Sequence, residues 1–510
     1  MNKIIIRKTE EIENWRRNIN CAINFIPTMG NLHDGHVKLI STAKNSNFNI
    51  NLVSIFINPL QFENKFDLDN YPKSIDDDIK IAFSNGADVI FIPSTLDIYP
   101  PNDKNIIFLK ASEELSSALC GLNRKGHFDG VCTVVLRLLN LIKPKNLYLG
   151  EKDWQQLLIL KNLVKVNQLN IDIKSIPTKR DFDGIPFSSR NMHLSKSERK
   201  LMRLFSNELF VAKKVFKKEK MINVKEIATK LESENINIEY LEHLHPYNLT
   251  KANPKDNISI LAGAIRCGET RLIDHVFLMK RKPIIAIDGP AGSGKSTVTK
   301  LIAEKLNLLY LDTGAMYRAL SWFLIREKIN YERVNELTKI LRNVSIIFKS
   351  NTNSDQDIFI NNYYVTEEIR SQKISSIVSQ ISSIKEIRKF LVEEQRKIGE
   401  AGGLVAEGRD IGTTVFPDAE LKIFLTASID ERAKRRKSDL VSKDSKEIDF
   451  NKLKELIKKR DFEDSNRAIS PLRKANDAIE LITDGYSINE VVDQILDIYN
   501  EKIPKEVQIE

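Results

Sequence analysis

Short apolar runs alternate with helical periodicity along much of this chain. Residues 22–27 (Ala-Ile-Asn-Phe-Ile-Pro) read as a buried strand, and the stretch from Val37 to Ala43 reads as a helix. Leu52–Ile57 and Asp88–Pro93 repeat the strand pattern, the second after a helical segment. Strands and helices alternating at this spacing predict a parallel, doubly wound sheet. The pattern starts afresh past the midpoint. Pro283-Ile-Ile-Ala-Ile-Asp288 is a strand, a glycine-rich turn follows, and Val298–Leu306 is helical. A further strand is expected at Leu308–Asp312. Two α/β patterns predict two domains, 1–277 and 278–510, joined by the short basic stretch Met279-Lys-Arg-Lys-Pro283.

Within the first of these parts lies a charged helical region, Ser195 to Glu232, opening on a capping box of Ser195 with Glu198. Residues 233–250 are Asn-rich and show no local pattern.

Composition narrows the setting. The chain has 510 residues, 42% of them hydrophobic, which is ample for ordinary cores. It carries no apolar run of membrane-spanning length, and Met1-Asn-Lys-Ile-Ile-Ile-Arg7 lacks the apolar core of a signal peptide. A cytoplasmic protein with no membrane partner is expected. Cys21, Cys120, Cys132 and Cys267 show no paired spacing and read as free thiols. The net charge of +9 comes from basic residues interleaved with acids, so it indicates solvated surface and anionic nucleotides, with no nucleic-acid partner.

The glycine-rich turn carries chemistry. In Gly289-Pro290-Ala291-Gly292-Ser293-Gly294-Lys295-Ser296-Thr297 the glycines allow a turn tight enough for successive N–H groups to face one anion. The helix N-terminus adds partial positive charge, Lys295 reaches the outer phosphates of ATP, and the Ser296 hydroxyl suits Mg²⁺. All seven histidines precede residue 280, so the second half works without imidazole.

In the first half the chemistry sits after the first long strand, in Met29-Gly30-Asn31-Leu32-His33-Asp34-Gly35-His36. Two imidazoles three residues apart at a helix start can project the same way, and Gly35 leaves room for a ligand to approach. His33, His36, Asn58 and Gln61 all fall at carboxyl ends of strands, where doubly wound sheets bind ligands.

Here the segment resembles pantothenate synthetase (pantoate–β-alanine ligase), a family of H-x-G-H nucleotidyltransferases. Ser54–Phe62, Leu119–Gly121, Arg124–Val131, Leu149–Gln156, Arg180–Asn191 and Gly268–Asp274 continue the likeness over about residues 1–277. The resemblance implies a Rossmann-like nucleotide-binding part (1–176) and a small α/β lid subdomain (177–277). It implies an acyl adenylate made from ATP, with His33 and His36 on the phosphates and His36 as proton donor. Lys152 and Arg190 would supply charge, and Ser188 and Ser189 neutral donors. Gly150, Glu151, Lys152, Asp153 and Lys179 would line the adenosine. Gln61 and Gln156 would hold pantoate, with β-alanine near Gln61. Pro186 and Phe187 depart from the family pattern beside the adenine edge, and His127 has no chemical role. Dimerisation through this half is a family expectation.

The second half resembles cytidylate kinase, a P-loop NMP kinase with a parallel sheet. The likeness rests on Asp312-Thr313 through Arg318, Glu407–Asp418, Leu421–Leu425 and Arg460–Arg467 with Pro471-Leu472, and covers about 283–500. It implies that Thr313, Arg318, Ser379, Arg388, Arg409, Asp410, Arg460, Asp464 and Arg467 surround CMP. Arg432, Arg435 and Arg436 would form a mobile lid over ATP. No Asn-Lys-x-Asp guanine motif is present, which excludes a GTPase. Two alternatives stand beside a bifunctional enzyme: another adenylyl-transferring H-x-G-H enzyme in the first half, or one half serving as an inactive scaffold.

Overall fold

The computed structural model describes residues 3–45, 49–63, 65–101, 106–268, 270–350, 356–441 and 449–508. Glu269, within the quoted Gly268–Asp274 motif, lies outside them. The chain forms two compact units: Met1–Lys280 together with Pro504–Glu510, and Arg281–Ile503. The return of residues 504–510 to the first unit has no signature in the hydrophobic pattern.

The first unit is built on a six-stranded sheet in which every pairing is parallel. Its strands in chain order are β1 (Ile4–Ile6), β2 (Ile23–Thr28), β3 (Ile50–Ile55), β4 (Val89–Phe91), β5 (Asn146–Gly150) and β6 (Asp172–Ile176). In space they run β1-β4-β3-β2-β5-β6. The chain moves outward from β2 through β3 to β4, then returns to β5 on the other side of β2. Strand order therefore reverses between β2 and β5, the place where such sheets bind ligands. Residues 29–36 leave β2 there, and residues 151–156 leave β5.

Asn24 is buried at the centre of this sheet yet fully used. Its Nδ2 donates to the Ala43 carbonyl (3.1 Å) and Asn51 Oδ1 (2.9 Å), while its Oδ1 accepts from Asn146 Nδ2 (2.8 Å). A polar rung thus crosses β3, β2 and β5 inside an apolar sheet, tolerated because its groups are paired.

The remainder of the first unit packs helices against a second, antiparallel sheet of β7 (Asn237–Leu244), β8 (Ile258–Cys267) and β9 (Thr270–Met279). The Asn-rich stretch is therefore partly a strand, half-buried on one edge of that sheet. The helical region is two helices, Lys196–Glu219 and Val224–Ser233, interrupted where Lys220 adopts a left-handed conformation. Ser195 caps the first as the sequence predicts, accepting from the Glu198 N–H while Glu198 accepts from the Ser195 N–H. Phe205, Leu209 and Phe216 on that helix meet Leu261, Ile265 and Val276 from the sheet in one apolar cluster.

In the second unit a five-stranded parallel sheet contains β10 (Ile284–Asp288), β11 (Leu309–Asp312), β15 (Leu404–Gly408), β16 (Leu421–Thr426) and β17 (Ile479–Ile482). Its order is β11-β15-β10-β16-β17, so the strand leading into the phosphate-loop motif is central. A small antiparallel sheet of β12 (Ile346–Ser350), β13 (Gln356–Ile360) and β14 (Tyr363–Tyr364) lies in a stretch that the sequence reading leaves unassigned.

Candidate active sites

Asp78 shapes the first site from 47 residues downstream. Its carboxylate is buried and accepts from the Asn31 N–H (2.8 Å) and the Leu32 N–H (2.7 Å). Those bonds hold the turn after β2, where Gly30 adopts φ +86° and a Cβ would lie 3.0 Å from Asp78 Oδ2. The turn delivers His33 as the N-cap of helix Asp34–Lys44.

The two histidines fix each other. His33 Nδ1 accepts from the Gly35 N–H (3.1 Å), and His36 Nδ1 accepts from the His33 N–H (3.3 Å), with ring centroids 4.1 Å apart. An accepting Nδ1 selects the tautomer that keeps its proton on Nε2. Burial, reinforced by His36 and Lys152, lowers the pKa of His33 to about 3, and burial with Lys152 lowers that of His36 to about 4. At neutral pH both are uncharged donors. A Cβ on Gly35 would lie 2.8 Å from His33 Cε1, so the space that this glycine leaves is filled by the His33 ring rather than by a ligand.

One cavity gathers Lys152, Asp153, Gln156, Ser188 and Arg190, together with Arg124 and His127. The Ser-Ser-Arg loop reaches it because Arg180 and Pro186 pair as an antiparallel bridge, while the Phe187 N–H donates to the Lys179 carbonyl (3.1 Å). Arg180 is anchored below by two bonds of 2.8 Å to the buried Asp274. The loop also meets the histidine turn: Asn31 Nδ2 donates to the Ser189 carbonyl at 3.1 Å, and the Tyr71 hydroxyl lies 3.4 Å from Ser189 Oγ. Phe187 stacks on His33, so this departure from the family pattern supports an imidazole.

Gln61 is held from several directions. Asn58 Nδ2 donates to its Oε1 (3.2 Å), its Nε2 points at Met29 Sδ, and its carbonyl lies 2.7 Å from His127 Nδ1. The other His127 nitrogen faces Arg124 at 3.0 Å. Burial and Arg124 lower the His127 pKa to about 4, so a neutral ring donates to Gln61 through Nδ1 and accepts from Arg124 through Nε2. Of the neighbouring glutamines, Gln155 is spent on Cys120, Leu115 and Ala118, whereas Gln156 lines the cavity. Glu151 is wholly buried with its carboxylate turned toward Ser175 Oγ (2.9 Å), so that side chain faces the interior and not a nucleotide.

The second site forms where β10 ends. Gly289, Gly292 and Gly294 all have positive φ, and a Cβ on Gly289 would sit 2.0 Å from the Leu425 carbonyl oxygen. Lys295 begins helix Lys295–Lys305, and its Nζ donates across the loop to the Pro290 carbonyl at 2.7 Å. Burial and then Arg409 lower its pKa, against the pull of Glu407 and Asp288. The buried Asp288 accepts from the Ile411 (2.8 Å) and Gly412 (2.7 Å) N–H groups, fastening the loop after β15 to the end of β10. Ser296 Oγ donates to Glu407 Oε2 at 2.9 Å, which sets two hard oxygen atoms side by side. That donor type fits Mg²⁺, which takes few protein ligands and completes its shell with water and phosphate.

Guanidinium groups converge beside this loop. Arg388 donates to Asp410 (2.5 Å), Arg467 lies 3.6 Å from the other Asp410 oxygen, Arg409 donates to Asp464 (2.9 Å), and Arg318 to Asp312 (2.8 Å). Arg460 has its pKa lowered by burial and by neighbouring Arg409. Thr313 donates to the Glu407 carbonyl at 2.7 Å, and Ser379 lies one turn before Ser382, whose carbonyl accepts from Arg388. Arg432 is buried, donates to both Asp461 oxygens (2.9 and 2.6 Å) and reaches the Ala291 carbonyl (3.3 Å). Arg435 is bound to Thr483 and Ser293. These two are therefore anchored side chains, in contrast to the mobile lid that the sequence suggests, and only Arg436 of the three is exposed.

The Pantoate-beta-alanine ligase family profile matches residues 4–277, and the Cytidylate kinase profile matches residues 285–501. A curated "Bifunctional pantoate ligase/cytidylate kinase" from Prochlorococcus marinus strain MIT 9215 is 79% identical over the whole of both chains. This chain belongs to that bifunctional family. The relative of the same name from strain NATL1A is 49% identical over 99% of this chain and 98% of its own. A solved pantoate–β-alanine ligase from Francisella tularensis, complexed with β,γ ATP and β-alanine, is 38% identical over 55% of this chain and 98% of its own, with a TM-score of 0.47.

In the ligase half, sequence reasoning misses Asp78, Tyr71 and the positioning role of His127. In the kinase half it misses Glu407 and Asp461 as partners of Ser296 and Arg432. Each acts through a residue far along the chain, so no local spacing advertises it. No helix among the described residues is long and apolar enough to cross a membrane.

Proposed function

We propose that the ligase half joins pantoate to β-alanine through a pantoyl adenylate. The carboxylate of pantoate attacks the α-phosphorus of ATP and pyrophosphate leaves. The amine of β-alanine then attacks the acyl carbon, AMP departs, and the amine proton is lost to solvent. Charge growing on the phosphates meets the Nε2–H groups of His33 and His36, held in place by the turn, together with the Lys152 ammonium and the Arg190 guanidinium. Gln61 and Gln156 both donate and accept, which suits a hydroxy acid. The observation that carries this reading is the pair of neutral imidazoles at the strand-order reversal, with Lys152 as their electrostatic neighbour.

In the kinase half an oxygen of the CMP or dCMP phosphate attacks the γ-phosphorus of ATP and ADP leaves, a transfer that needs positioning and neutralisation more than covalent help. Lys295 and the loop N–H groups hold ATP, with Arg436 beside it. Arg318, Arg388, Arg409, Arg460 and Arg467 hold the acceptor phosphate, while Asp410 and Asp464 orient those groups and the nucleoside. Ser296 and Glu407 would hold Mg²⁺, which supplies positive charge between phosphates.

Both activities belong in the cytoplasm, in keeping with four unpaired cysteines. The same reading has two copies pair through the ligase half and takes the positive charge as serving nucleotides rather than nucleic acid. Phosphorus NMR with Mg-ATP tests the chemistry. Pantoate plus β-alanine should yield AMP and pyrophosphate, and CMP should yield ADP and CDP. Absence of AMP in the first tube would remove the ligase assignment.

A further inference from the structure

Glu151 directly follows β5, between Gly150 and Lys152, and its side chain is wholly buried. Oε1 accepts from Ser175 Oγ (2.9 Å) and the Lys505 N–H (2.7 Å), and Oε2 accepts from the Glu506 N–H (3.0 Å). Two of these three donors thus come from residues that follow the entire kinase half in the chain. The segment makes a second attachment, because Glu506 Oε1 accepts from the Thr178 N–H at 2.9 Å. Its two anchor points are the loop after β5, which carries Lys152 and Asp153, and the residues after β6, which carry Lys179.

A buried carboxylate is costly to leave without donors. Around Glu151 the donors are a hydroxyl and two N–H groups, so the orientation of its backbone depends on them. Side-chain packing alone would not require both loops to be fastened by one segment.

We infer that residues 504–508 are a strap that positions the ligase half's ATP segment, with Glu506 as the positioning residue. Through Lys505 and Glu506 it fixes Glu151, and through Glu506 it fixes Thr178, so that Lys152 and Lys179 flank the nucleotide at a set separation. The inference rests on the ATP-site reading above. Glu506 itself touches no substrate.

The test uses the full chain carrying Glu506→Ala or Glu506→Gln, and a chain ended after Ile503. Steady-state assays would give KM for ATP, KM for β-alanine and kinase kcat/KM for each. Glu506→Ala should raise the ligase KM for ATP by about tenfold, the low end of what one charge-assisted hydrogen bond is worth. Glu506→Gln, whose Oε1 still accepts from Thr178, should recover most of that loss. The shortened chain should lose more, and an added peptide of residues 503–510 should restore it. KM for β-alanine and the kinase should stay within about twofold throughout. An unchanged KM for ATP in the shortened chain would overturn the proposal, as would equal losses in all three quantities. If that chain fails to fold, equal KM values for Glu506→Ala and wild type would overturn it instead. Lys152→Ala separates the two readings: unchanged ATP dependence there would remove the ATP site itself, whatever Glu506 does.

Discussion

The ring of Phe187 lies nearly parallel to that of His33, with centroids 6.1 Å apart and planes inclined by 18°. Phe187 also donates its N–H to the Lys179 carbonyl, so one residue aligns an imidazole and closes the Ser-Ser-Arg loop. Phe187→Ala should therefore lower ligase kcat/KM for ATP about fivefold, since a lost aromatic contact is worth about 1 kcal/mol. Phe187→Leu should recover part of it, and the kinase should not change. A coupled pyrophosphate assay reads the difference.

Gly35→Ala offers a harsher check on the same imidazole. The added methyl would lie within 2.8 Å of His33 Cε1, so the ring must move. We expect ligase turnover to fall at least about a hundredfold while the melting temperature shifts little, because misplacing a reacting group is costly even when the fold survives.

The histidines also set a direction for acid stability. His33, His36 and His127 have folded pKa values of about 3, 4 and 4, below the ordinary 6.5. Between about pH 4 and 6.5 the unfolded chain therefore binds more protons than the folded one, and stability must fall as pH drops through that window. Urea midpoints measured from pH 7 to pH 5 should decline in wild type and decline less in His36→Gln. A steeper decline in the variant would contradict the neutral assignment.

His127 lines the cavity and holds the Gln61 carbonyl. Removing it in His127→Ala should raise KM for pantoate about fivefold to tenfold, the worth of about one hydrogen bond, with kcat nearly constant. A fall in kcat alone would indicate a direct chemical role.

Arg432 and Arg436 stand four residues apart on one helix yet should respond oppositely. Arg432→Ala removes two hydrogen bonds to the partly exposed Asp461 and should destabilise the kinase half by about 1.5 kcal/mol, visible by calorimetry. Arg436→Ala should leave melting unchanged and weaken ATP binding.

Elements whose signal is local were legible in advance. The apolar run 283–288 reads as a strand and the glycines after it as a turn, and the structure puts that strand at the centre of its sheet. The Ser195–Glu198 capping box could be read from four letters. Partners chosen across the fold could not. Asp78 serves a turn 47 residues earlier, Asn24 finds Asn146 across the sheet, and Arg432 finds Asp461 on the next helix. Hydrophobic periodicity says which face of an element is buried but not which neighbour will satisfy a polar group there. For the same reason a run of arginines resembled a mobile lid when two of its members are fastened.

The placement of residues 504–508 bears on biosynthesis. As the chain leaves the ribosome, residues up to 280 can collapse into their two sheets while Glu151 still lacks two of its donors. Those donors emerge only after 223 further residues, Arg281 through Ile503, have been made. A chain truncated anywhere in that interval therefore carries the loop after β5 with an undersatisfied buried carboxylate. Completion of the first-made catalytic half is thereby timed to completion of the second.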